Sequence, residues 1–136
     1  MTAIHTERYP ESYYASSQNY RQDYPALEQD ISADVCIIGG GFTGIASAIE
    51  LAERGYEVVL VEAHNIGWGA SGRNGGQLIR GLGHDVEKFR AAIGQQGIDA
   101  ITAMGTEANE IVIERINKYG IDCDLTMGYC DLATKP

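Results

Sequence analysis

No apolar run in this chain approaches the roughly 18 residues that a membrane-spanning helix requires, so no spanning helix is encoded. Basic residues are scarce: 10 Lys and Arg stand against 19 Asp and Glu, for a formal net charge of −9. That balance argues against a nucleic-acid surface, which needs clustered cations to meet phosphates. Cysteine is sparse too. Cys36, Cys123 and Cys130 form neither an even set nor a C-x-x-C pair, so the spacing supports no disulfide framework. Cys36 falls in an apolar run and is expected to pack as a small hydrophobe. Cys123 and Cys130 could approach each other, yet three scattered histidines add too few ligands for a metal site, and free thiols in a reducing compartment are the expectation. Met1 to Glu7 lack the basic and apolar regions of a secretory signal, and a cytoplasmic location is expected.

Glycine, by contrast, is abundant at 17 of 136 residues, and much of it lies in the stretch that organises the chain, Asp34 to Gly76. Asp34-Val35-Cys36-Ile37-Ile38 reads as a strand. It runs into Gly39-Gly40-Gly41-Phe42-Thr43-Gly44, a G-x-G-x-x-G at Gly39, Gly41 and Gly44. In such a turn the first glycine allows a sharp exit from the strand, the second lets backbone approach a pyrophosphate, and the third lets the next helix pack closely. Ile45, Ala48, Ile49 and Ala52 then recur at helical spacing, and Arg54-Gly55 marks a helix end. Val58-Val59-Leu60-Val61 reads as a strand covered on both faces, as in a parallel sheet. Glu62 closes it, 23 residues after Gly39, about the separation at which a carboxylate reaches the ribose hydroxyls of a dinucleotide. The blander alternative is an ordinary βαβ unit with a solvated Glu at a strand end. The signal for a dinucleotide rests on strand, glycines, helix stripe and acid occurring together.

A second glycine-rich segment follows, Gly67-Trp68-Gly69-Ala70-Ser71-Gly72-Arg73-Asn74-Gly75-Gly76-Gln77. It can lay backbone donors along an extended charged ligand, with Ser71, Arg73 and Asn74 offering polar side chains to phosphate or ring edges. That suits flavin adenine dinucleotide (FAD) better than a nicotinamide nucleotide.

The runs Asp34 to Gly44, Leu60 to Ala63 and Gly69 to Gln77 together resemble the amino-terminal part of the D-amino-acid-oxidase-like superfamily of FAD-dependent oxidoreductases. Within it the chain is most similar to the gamma-glutamylputrescine oxidoreductase group, with Ser12 to Ser16 and Tyr119 to Asp124 adding to the likeness. The resemblance implies an α/β, Rossmann-like FAD-binding unit of the glutathione-reductase type with a helical extension, truncated before a substrate domain. It implies cofactor contacts at Gly39, Gly41, Phe42, Thr43 and Gly44, at Glu62 and Ala63, and at Gly69, Ala70, Ser71, Arg73, Asn74, Gly75, Gly76 and Gln77. It also implies oxidative deamination of a small-molecule amine such as gamma-glutamylputrescine to aldehyde, ammonia and hydrogen peroxide, with oxygen as electron acceptor. No residue here is assigned as the catalytic base, and no metal is expected. A sibling oxidase or dehydrogenase of glycine, sarcosine or D-amino acids, a nicotinamide dehydrogenase, and a non-catalytic nucleotide-binding module remain as alternatives.

A chain of this length could bury ~65–70% of its extended surface. Proteins of the resembling kind are longer, and the chain ends in an alternating, strand-like run, so an amino-terminal fragment is expected rather than a free-standing domain. Residues 1–33 are expected to form an arm, 34–122 the FAD-binding part, and 123–136 the start of a substrate domain. Five of the eight tyrosines, Tyr9, Tyr13, Tyr14, Tyr20 and Tyr24, fall in the arm, which has no sustained period and is expected to dock through its rings rather than hang as a tail. Gln77 and Arg80 are secondary candidates for ring or substrate contact, Arg80 being more simply a surface residue. His64 and His84 read as loop residues, though a loop histidine can serve as a base. A helix is expected over about 86–93, a break at Gly94 and Gly97, and a second helix over about 98–118 with Ile101, Met104, Ala108, Ile111, Val112 and Ile116 inward and Gly120 as its stop. Met104 and Met127 are read as packing residues.

Overall fold

The computed structural model describes residues 9–79, 81, 85–128, 130 and 132. It separates into two compact units, 1–76 and 77–136.

The first unit is built on a βαβ core. Strand β1 (Val35–Ile38) pairs in parallel with β2 (Val58–Val61), in the register Val35 with Val58 through Ile38 with Val61. Helix α2 (Phe42–Glu53) forms the crossover and packs on both strands. A short helix, α1 (Tyr13–Ser16), precedes them, its first turn capped by the Ser12 hydroxyl, which accepts from Ala15 N–H. The sequence explains each boundary. Asp34 aligns the strand starts: its carboxylate accepts from Glu57 N–H at 2.8 Å, and its own N–H donates to Glu57 C=O at 2.9 Å. Helix α2 ends at Arg54, and Gly55 follows with φ +89, a left-handed conformation that costs glycine little. An exposed Arg54–Glu50 pair at 2.6 Å spans the last turn, worth about 0.3–0.5 kcal/mol.

Burial follows the pleat. Val35 and Ile37 are half-buried on the face toward α2, where Ile37 Cγ2 would stand 3.4 Å from a Cβ on Gly44. Cys36 and Ile38 take the opposite face and are exposed, Ile38 at 88%. The expectation that Cys36 packs inward is therefore corrected: period-two alternation turns it away from α2, which packs on the other face. All four residues of β2 are half-buried, in keeping with their unbroken apolar run.

In the second unit, a 3-10 turn at Val86–Phe89 is capped by the Asp85 carboxylate, which accepts from Glu87 N–H. It leads into α3 (Arg90–Tyr119). Gly94 kinks α3 at φ 65, ψ −177, but Gly97 lies inside it, so the expected break is one residue wide, and the first half of the first expected helix is a 3-10 turn. Gly97 is needed for packing: a Cβ there would stand 2.6 Å from Ile93 Cβ. Gly120 ends α3 in the left-handed region, with Ile121 N–H donating to Ile116 C=O at 3.0 Å, the Schellman pattern. Ile98 is the buried apolar residue among those described, at 7% exposure. Met104 and Met127, expected in packing, are exposed at 54% and 70%, and so are Ala108, Ile111 and Val112 of the face expected inward. Of the run expected to form a strand after Gly128, all but Cys130 and Leu132 lies outside the described residues, as do Arg80 and His84.

Candidate functional site

Four strand residues fix where the turn begins. Gly39 N–H donates to Val61 C=O at 2.8 Å, extending the parallel ladder one step beyond β1, and the chain then leaves the sheet with Gly39 at φ +106. Nothing stands within 4 Å of the place a Gly39 Cβ would take, so the requirement for glycine here is conformational. At Gly44 it is steric: a Cβ would lie 1.9 Å from Gly39 C=O. Phe42, Thr43 and Gly44 form the first turn of α2, with Gly41 at its N-cap and no capping side chain from within the helix. Phe42 and Thr43 are exposed. The amino end of α2 thus presents N–H groups and a positive dipole, the common setting for an anionic ligand.

The second glycine-rich segment lies against the first. Ser71 Oγ accepts from Phe42 N–H at 3.0 Å, supplying from sequence-distant residues the cap that α2 lacks. Gly67 N–H donates to Gly40 C=O at 2.9 Å. A 3-10 turn at Ala70–Gly72 follows Gly69. It is tight: a Cβ on Gly72 would meet Gly67 C=O at 2.1 Å. Asn74 Nδ2 donates back to Ser71 C=O at 2.8 Å, and Gly76 N–H donates to Asn74 Oδ1 at 2.9 Å, which closes the segment on itself. Arg73 donates from Nε to Gly69 C=O, and its guanidinium lies 5.3 Å from the Trp68 ring centre. On Trp68 the His64 ring also stacks, centroids 4.3 Å apart.

Between the two loops stands Glu62. Its Oε2 accepts from Gly40 N–H at 2.6 Å and its Oε1 from His64 N–H at 3.0 Å. These two backbone donors, Gly40 first, hold its carboxyl below the usual carboxylate range, with Ala63 N–H helping and partial burial opposing. An ionised carboxylate has about four acceptor positions. Gly40 and His64 fill two of them and Ala63 N–H approaches a third, which leaves capacity to accept from a hydroxyl of a vicinal diol. His64 Nδ1 is buried with no hydrogen-bond partner among the described residues.

The structure therefore brings together Gly39, Gly41, Phe42, Gly44, Glu62, Ala63, Gly69, Ala70, Ser71 and Arg73, with Asn74, Gly75 and Gly76 continuing from them. Gln77 begins the second unit. Sequence reasoning passed over Gly40, which is buried and carries both the Glu62 and Gly67 contacts. Its place in a run of three glycines was the available signal. Trp68, the one tryptophan, set between two glycines, was another.

The arrangement suits an extended ligand with a diol at Glu62 and a diphosphate at the α2 amino end. Left-handed Gly39, the clash-limited Gly44 and Gly72, and the orphaned His64 Nδ1 at the diol end are consistent with an adenine dinucleotide. Among the described residues no helix is long and apolar enough to cross a membrane.

Comparison with known proteins points the same way. The chain is 45% identical over 117 residues to gamma-glutamylputrescine oxidoreductase of Escherichia coli (strain K12), covering 86% of this chain and 28% of that protein. It is 43% identical over 122 residues to a probable oxidoreductase, OrdL, of Haemophilus influenzae, covering 90% and 28%. A protein of that name from Rhizobium meliloti is 32% identical over 124 residues, covering 91% and 29%. The chain thus spans little more than a quarter of the length of these relatives. No solved structure matches it. The family model for FAD dependent oxidoreductases, DAO, matches residues 34–136, and the chain belongs to that family.

Proposed function

We propose that this chain supplies the adenosine and diphosphate half of an FAD site in an amine-oxidising flavoenzyme, with gamma-glutamylputrescine or a closely related amine as substrate. The observation that carries the reading is the Glu62 carboxylate, held by Gly40 and His64 N–H groups at the point where the two glycine loops meet. The substrate class rests on the similarity to the Escherichia coli gamma-glutamylputrescine oxidoreductase. In this reading residues 34–122 belong to the FAD-binding domain, 123–136 begin the substrate domain, and 1–33 form an arm.

The residues divide the work by chemistry. Glu62 would accept from ribose hydroxyls, and its lowered pKa keeps it an acceptor at neutral pH. Gly41 and Gly44 let the α2 amino end approach the diphosphate, whose charge the free N–H groups and helix dipole would offset. Phe42 N–H, now satisfied by Ser71 Oγ, is a donor the ligand could share. Ser71, Arg73, Asn74 and the glycines from Gly69 to Gly76 would form the second wall, and Gln77 the exit toward the ring. Bound FAD would supply the two-electron acceptor for the carbon beside the amine, with oxygen as final acceptor. The residues named here bind and orient; none is placed as a base.

The test is anaerobic mixing of the whole protein, as purified, with gamma-glutamylputrescine, glycine, sarcosine and D-alanine in turn. Bleaching of the visible flavin band by gamma-glutamylputrescine at the lowest concentration supports the reading. Bleaching by one of the amino acids alone would assign the protein to another substrate class, and no bleaching by any amine would overturn amine oxidation.

A further inference from the structure

The second glycine loop is held from two sides at a single peptide. The N–H of the Ile66–Gly67 peptide donates to Gly40 C=O at 2.9 Å. Its carbonyl, Ile66 C=O, accepts from the Tyr9 hydroxyl at 2.5 Å, across 57 residues of sequence. Gly67 is at φ +73, so the peptide lies at a sharp turn whose direction sets the path of Gly69 to Gly76. Gly40, on the other side, is the residue whose N–H donates to Glu62 Oε2. A continuous series of hydrogen bonds thus runs from the arm to the ribose-end carboxylate: Tyr9 hydroxyl, the Ile66–Gly67 peptide, Gly40, Glu62. Ile66 adds a packing contact to the same junction, because its Cδ1 would stand 2.5 Å from a Cβ on Gly40.

We propose that Tyr9 is a positioning residue for the cofactor site: by fixing the Ile66–Gly67 peptide, its hydroxyl sets how the second glycine loop lies against the first. The proposal rests on the FAD reading above for its ligand, and on the hydrogen-bond geometry for its mechanism. A cavity of about 130 Å³ opens between the arm and this loop, lined by Tyr9, Ser12, Gln18, Ile66, Trp68 and Arg73 among others, so close packing does not replace the lost bond if the hydroxyl is removed. A second tether among the described residues is Asn65 Nδ2 donating to Asp23 Oδ1 at 3.3 Å, a longer and exposed contact. Tyr9 is suited to the task as a permanent donor, since burial and the Asp23 and Glu62 carboxylates push its pKa up and keep the proton on the oxygen.

Tyr9→Phe keeps the ring and removes only the donor. Two quantities are measured on the full-length protein at a temperature where wild type and variant are both folded: the dissociation constant for FAD added to apoprotein, and the amide hydrogen-exchange rate at Gly67 in the apoprotein. Tyr13→Phe is the control, because Tyr13 lies in the same arm, is 77% exposed and packs edge-on against Tyr14. The expected result for Tyr9→Phe is binding weakened about 3- to 10-fold, the effect of one neutral hydrogen bond, with faster exchange at Gly67. Tyr13→Phe leaves both quantities unchanged. Unchanged FAD affinity in Tyr9→Phe overturns the proposal, even if exchange speeds up. Weakened affinity with unchanged exchange overturns the route through the Ile66–Gly67 peptide. Wild-type apoprotein that fails to bind FAD at all contradicts the functional reading instead, and the exchange rate then still decides whether Tyr9 holds this peptide.

Discussion

Glu62 stabilises the folded chain in a pH-dependent way whose sign follows from its donors. The N–H groups of Gly40 and His64 favour the ionised form and lower its folded pKa below the ordinary 4.5. The stabilisation is therefore present in full above that ordinary value and is lost as pH falls through the folded pKa. Glu62→Gln keeps an acceptor oxygen but no charge. Acid unfolding followed by circular dichroism should show wild type more stable than the variant at neutral pH, with the difference shrinking below about pH 4.5; a constant difference at all pH values would contradict the anchoring. Gly44 makes a second, steric prediction. A Cβ 1.9 Å from Gly39 C=O must displace backbone, so Gly44→Ala should cost about 3 kcal/mol in urea unfolding. An unaffected midpoint would mean that the turn can relax.

At the scale of elements, the βαβ unit is the part most legible in sequence. The expected strand Val58 to Val61 is the observed β2, and Arg54-Gly55 does end α2, because local propensity, apolar pattern and helix capping agree there. Helix α3 is where that agreement fails. Gly94 and Gly97 carry the same intrinsic penalty in a helix, about 1 kcal/mol each, yet only Gly94 leaves helical geometry. The Ile93 side chain lies where a Cβ on Gly97 would stand, a contact that no reading of propensity supplies. The stop at Gly120 was legible because its conformation, φ 59 and ψ 43, is one that side-chain-bearing residues avoid. Gly120→Ala should lower stability by about 1–2 kcal/mol in thermal or urea unfolding, and no loss would show that α3 can end one residue earlier without cost.

On the scale of the molecule, the arm is the element that sequence left without a destination. Its tyrosines suggested docking, but an aperiodic polar segment gives no register from which to choose a surface. The structure gives it one within the first unit, through the Tyr9 hydroxyl to Ile66 C=O and Asp23 to Asn65, whereas the rings of Tyr13, Tyr14, Tyr20 and Tyr24, expected to dock, are exposed. Deleting residues 1–24 removes both tethers. It should destabilise the protein by about 2 kcal/mol, near 1 kcal/mol for each bond, read as a lower melting temperature; an unchanged melting temperature would show the arm to be dispensable. The two glycine loops were legible as a candidate site because each carries its own signature. That they touch, through Ser71 on Phe42 N–H and Gly67 on Gly40 C=O, was not, since their junction depends on Ile66 and on Gly40, a position that the G-x-G-x-x-G pattern leaves unspecified. That junction is the proposed site for FAD. The most direct measurement is the flavin content of the purified whole protein beside its Gly41→Val variant, in which the added methyl groups enter a gap where a Cβ alone would lie 3.0 Å from Ser71 Oγ. Stoichiometric FAD in wild type and apoprotein in the variant is the predicted result; wild type without flavin, or a variant that retains its full complement, would contradict it.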